Sequence, residues 1–128
     1  MDIEILRRYC LSLPHATEDI QWGNNLLFRI GNKMFAIAAL DQTPTTVSFK
    51  CTPEEFAELI EREGIIPAPY LARNKWVLLE SLDAVPWTEL KRLIRDSHTM
   101  VAARLPKKLR AELSAGKQRT HHNSRNRR

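Results

Sequence analysis

Residues 28–40, FRIGNKMFAIAAL, constrain the chain more than any other stretch. Phe28-Arg29-Ile30 and Met34 to Leu40 are apolar and aromatic runs. Gly31-Asn32 lies between them and tolerates the positive φ of a tight reversal. The stretch therefore predicts an antiparallel hairpin with greasy strands. Arg29 and Lys33 flank the turn on different strands, so its tip is basic. A hairpin this apolar must bury one face, and the rest of the chain has to supply the cover.

The covering helices are legible at both ends. Asp2 caps a first helix in which Leu6, Tyr9, Cys10 and Leu13 recur at helical spacing, and Pro14 stops it. From Pro86 a long helix is predicted from Leu90, Leu93, Ile94, Val101 and Leu105, unbroken before Pro106. Between them, Glu18 to Trp22 reads as a weak strand ending at the Gly23-Asn24-Asn25 turn, and Thr45 to Cys51 as a β-branched strand. Thr52, Pro53 and Glu55 form the clearest helix start, an N-cap with Pro at the first position and a capping box, with the helix expected to reach about Glu63. Ile65 to Ala72, IIPAPYLA, is extended and broken by proline. Arg73 to Glu80 then returns to the sheet, with Lys75, Val77 and Leu79 on one face and Trp76, Leu78 and Glu80 on the other.

Together these elements predict an α+β fold, an antiparallel sheet packed against helices, in one domain over residues 1–113. Residues 114–128 are polar and basic, with no apolar residue after Ala115, and are expected to form a disordered tail. The charge follows that division. Residues 1–103 hold 11 Lys and Arg against 14 Asp and Glu, a balance of −3, whereas residues 104–128 hold nine against one, a balance of +8. The overall +5 therefore says little about the folded part. No apolar run is long enough to span a bilayer and the N-terminus lacks an export pattern, so a cytoplasmic protein is expected. Cys10 and Cys51 lie in separate elements without metal-ligand spacing and read as reduced thiols.

Six segments, in order and spacing, resemble the MmcQ/YjbR-like family. They are CLSLPHATED at 10–19, Trp22-Gly23, FRIGNKMFAI at 28–37, SFKCTPEEFAELI at 48–60, PAPYLARNKWVLLE at 67–80 and ELKRLIRDSHTMVAARLPKKL at 89–109. The resemblance covers roughly residues 3–110. It implies a frataxin-like arrangement of sheet and helices, and the family's usual assignment, DNA binding through a double-wing motif. This chain has Ser97-His98 where the family usually carries Ser-Tyr, and Gln21-Trp22-Gly23 where Pro-Phe-Gly or Pro-Trp-Gly is common.

The candidate nucleic-acid-binding residues are Arg29, Lys33, Lys50, Arg73, Asn74, Lys75 and Trp76. Strand ends present cations to phosphates, and an exposed aromatic beside them stacks on a base or wedges into a groove. The alternative for Trp76 is a core residue under a helix, and for the cations a solvated rim. Lys107, Lys108, Arg110, Lys117, Arg119, Arg125, Arg127 and Arg128 form a second, sequence-blind candidate, whose alternative is a solubilising extension. Enzymatic chemistry is not expected: no nucleophile triad or glycine-rich phosphate loop is present, and Cys51, although it precedes a helix start, reads as a small apolar filler. No cofactor or metal is expected either. His121-His122 lacks companions for a four-ligand shell, and Glu54, Glu58 and Glu61 read as an exposed helix face. The sequence thus favours a monomeric nucleic-acid-binding domain. The alternative is a protein-interaction or small-ligand adaptor using the same sheet and the Pro67–Ala72 loop.

Overall fold

The computed structural model describes the backbone of residues 1–119 and the side chains of residues 1–114. Six strands form one sheet: β1 (Ala16–Gln21), β2 (Asn25–Ile30), β3 (Lys33–Ala39), β4 (Thr46–Lys50), β5 (Ile65–Pro67) and β6 (Trp76–Leu79). Every pairing is antiparallel, in the spatial order β1-β2-β3-β4-β6-β5. Helices α1 (Ile3–Ser12) and α3 (Trp87–Ala103) supply Leu6, Cys10, Leu90, Leu93, Ile94 and Val101 to the core. Opposite them stand Leu26, Phe28, Ile30, Phe35, Ala36, Ala38, Val47, Phe49, Val77 and Leu79 of the sheet. The expected α+β fold, an antiparallel sheet packed against helices, describes this molecule.

The expected hairpin is β2–β3, with Ile30 paired to Lys33 and Gly31 at φ 63° between them. Glycine is needed there twice over. A side chain would be strained in the left-handed region, and an added Cβ would sit 3.0 Å from Leu109 Cδ2 and 3.2 Å from Leu105 Cδ2. One feature was not visible in the pattern: Phe28 pairs with Ala36 and Arg29 with Met34, leaving Phe35 unpaired as a bulge. The extra residue lets Phe35 and Ala36 both enter the helix-covered core. It also opens the ladder beside β4, and α3 fills the gap. The buried Ser97 hydroxyl accepts from the Lys50 amide at 3.0 Å and donates to the Phe35 carbonyl at 2.7 Å.

Other elements depart from expectation for local reasons. Helix α2 (Pro53–Leu59) starts as predicted, with Thr52 Oγ1 accepting from the Glu55 amide at 3.1 Å, but it ends four residues early. Its successor must turn through Gly64, at φ 87°, to enter edge strand β5. The strand expected from Arg73 begins only at Trp76. Ala72–Asn74 form a 3-10 turn and Lys75 is left-handed at φ 65°, held by its amide to Ala72 O at 2.9 Å. Helix α4 (Lys107–Arg119) runs through the boundary expected at 113/114. The remainder of the expected tail, residues 120–128 with His121-His122, lies outside the described residues. Among the described residues, no helix is long and apolar enough to cross a membrane, and no three His, Cys, Asp or Glu side chains gather at metal-binding positions.

Candidate nucleic-acid interface

Three cations meet where one end of the sheet reaches the end of α3. Lys33 opens β3 just past the hairpin tip, Lys50 closes β4, and Arg104 is the C-cap of α3. With Met34, Leu71, Asn74, Trp76 and Val101 they line an open cleft of about 420 Å³. Among the described residues, no carboxylate lines it. Elsewhere four arginines are committed: Arg7 to Glu18, Arg29 to Asp19, Arg62 to Glu89, and Arg92 to Glu55 and Asp96. Lys33, Lys50 and Arg104 have no ion pair among the described residues. Lys50 Nζ instead donates to the Asn74 carbonyl at 2.7 Å. Burial pushes its ammonium below the usual lysine range, and the charge of Arg104 pushes the same way. An anion seated between Lys50 and Arg104 relieves that repulsion.

Of the seven residues proposed from sequence, Lys33, Lys50, Asn74 and Trp76 share this cleft. Arg29 lies on the sheet face away from the helices and is held by Asp19 at 3.1 Å. Arg73 is exposed on the 3-10 turn. Lys75 is drawn away, its Nζ 5.1 Å from the centre of the Phe56 ring. The role imagined for Trp76 needs correction. Its indole is only 5% exposed and so cannot serve as a stacking platform. The reason is the loop after β5, which folds back onto β6 through Ala68 N to Trp76 O at 3.0 Å and Trp76 N to Leu71 O at 3.3 Å. Trp76 is buried under a loop on the open side of the sheet rather than under a helix.

Sequence reasoning missed Arg104, because splitting the charge after Ala103 grouped it with the tail. A cation at a helix C-terminus, where it complements the dipole, was the available signal. A second, apolar groove of about 450 Å³ lies on the open face, between the sheet and the Pro67–Ala72 loop named in the alternative reading, and shares Met34 and Leu71 with the cationic cleft. Trp22 and Tyr70 stand at its rim, 64% and 102% exposed. An aromatic beside a Gly-Asn-Asn turn was the only hint of Trp22.

The YjbR family model matches residues 11–100. The chain belongs to the YjbR family. A Deinococcus radiodurans protein with the DUF419 domain superposes with a TM-score of 0.79 at 30% identity, covering 88% of this chain and 87% of its own. A Pseudomonas syringae protein, at 20% identity and a TM-score of 0.65, shares the fold over 78% of this chain and 98% of its own. No curated protein matches the chain. Within this YjbR domain, Lys33, Lys50 and Asn74 fall inside the matched segment and Arg104 just beyond it.

Cys10, Cys51, Ser97 and His98 are all buried. Burial pushes the Cys10 thiol up to about 12 and the Cys51 thiol up to about 11, so neither is a thiolate near neutrality. Ser97 bridges two backbone groups, and His98 Nε2 lies 2.9 Å from the Pro14 carbonyl with its ring edge-on to Phe35.

Proposed function

We propose that this YjbR domain is a non-enzymatic nucleic-acid-binding module that holds phosphates at Lys33, Lys50 and Arg104. The observation that carries the reading is the convergence of three cations from three separate elements on one cleft, with neither ion-pair partners nor a lining carboxylate among the described residues. Such a cluster is a local positive field on a body whose residues 1–103 sum to −3, so it offers orientation as well as attraction. The basic residues from Lys107 onward add affinity without reading sequence.

The test is a salt titration of binding to a labelled oligonucleotide. It uses the full chain, a chain with Lys117, Arg119, Arg125, Arg127 and Arg128 replaced by Gln, and Lys50→Glu in that second background. Binding by the tail-neutralised chain is expected at low salt, with Lys50→Glu weakening it and lowering the salt slope by about 1. Loss of all binding on neutralising the tail would assign the activity to the tail alone. The apolar groove favours a second reading, a small-ligand or protein adaptor, for which no oligonucleotide would bind.

A further inference from the structure

We propose that the groove beside the cationic cleft takes an unpaired nucleobase, so that the ligand is a single strand; this rests on the phosphate reading above. Met34 and Leu71 line both the groove and the cleft, so one molecule occupying both must carry an anionic group next to an apolar one. A nucleotide in a strand has that composition, and its repeat continues the pattern along the chain. The groove's volume of about 450 Å³ lies in the range of small-molecule sites, and its walls are mainly Met34, Ile37, Leu71 and Leu78.

Two independent observations point to an occupant. The first is Ser48, which lines the groove, is 7% exposed, and has no hydrogen-bond partner for its hydroxyl among the described residues. A buried hydroxyl without a partner is costly, and a base edge in the groove would satisfy it. The second is the rim. Trp22 and Tyr70 hold φ of 53° and 67°, a region that glycine or asparagine occupies more cheaply than a bulky aromatic. Tyr70, 102% exposed, recovers nothing from burial in return. Strain without packing is what a residue kept for stacking on a ligand would show. Bases in a duplex are already stacked and paired, so only an unpaired base can enter.

The experiment compares three labelled probes of equal phosphate count on the full-length protein: oligothymidylate, a duplex, and an abasic deoxyribose-phosphate strand. It repeats them with Tyr70→Asn and Ser48→Ala. Oligothymidylate is expected to bind about tenfold more tightly than either other probe. Tyr70→Asn should erase most of that preference and leave abasic binding unchanged, with a thermal midpoint no lower than the parent's because asparagine tolerates the left-handed backbone. Ser48→Ala should reduce the preference while the fold holds. Equal binding of all three probes, with both variants silent, overturns the base site and leaves the phosphate cleft standing. Failure of every probe to bind at low salt overturns both.

Discussion

Replacing Ser97 by alanine removes one oxygen atom, and the structure gives it a large effect. The hydroxyl is fully buried and serves two backbone groups at once, the Lys50 amide at 3.0 Å and the Phe35 carbonyl at 2.7 Å. Those groups face each other where the bulge at Phe35 opens the β3–β4 ladder, so neither has a strand partner waiting. Each buried polar group left unsatisfied costs about 1–3 kcal/mol, which puts Ser97→Ala at about 3 kcal/mol. Domains of this size are stable by about 5–15 kcal/mol, so the loss is a substantial fraction. Urea unfolding followed by tryptophan fluorescence measures it: the midpoint should fall with an unchanged slope. Ser12→Ala is the control. Its exposed hydroxyl donates only to the Tyr9 carbonyl, and the change should stay within about 0.5 kcal/mol. A Ser97→Ala cost below about 1 kcal/mol would mean that the two strands close directly on each other. The splice by α3 would then be incidental.

Gly31→Ala should destabilise by about 1–2 kcal/mol in the same assay, because alanine is strained at φ 63° and its Cβ meets Leu109 at 3.0 Å. A neutral result would place the α3–α4 corner off the hairpin tip. Both thiols should be inert to an aromatic disulfide reagent in the native protein near neutrality and react only on unfolding. Their pKa values are raised on folding, so the folded state favours the protonated thiols. That contribution is complete below the ordinary thiol value of 9.0 and is lost as pH rises through about 11 for Cys51 and about 12 for Cys10. Stability should therefore fall above pH 9 by about 1.4 kcal/mol per pH unit for each thiol. The fall should be shallower in a Cys10→Ala, Cys51→Ala chain, and an identical slope in the two chains would refute the assignment.

Local chemistry made much of the fold legible. The Gly31-Asn32 reversal, the Thr52 cap and the stop at Pro14 each depend on a few adjacent residues, and each stands where the sequence places it. The bulge at Phe35 escaped because an apolar run such as MFAIAA carries no mark of which residue is extra. Parity along β6 was read correctly as far as faces go, yet parity cannot say that the loop at 68–71 returns to cover Trp76. The candidate site was half legible for the same reason. Lys33 and Lys50 were visible as strand-end cations, but their meeting with Arg104 is a long-range event set by how α3 crosses the sheet. Lys75 looked like a strand residue until the turn before it supplied a left-handed backbone and the Phe56 ring claimed its ammonium.

Amide chemical-shift mapping of the full chain with a short oligothymidylate at low salt tests the phosphate cleft most directly. Shifts are expected to concentrate at Lys33, Lys50, Asn74 and Arg104 and to fade together as salt is raised. Shifts confined to residues 107–128, with those four amides unmoved, would contradict it.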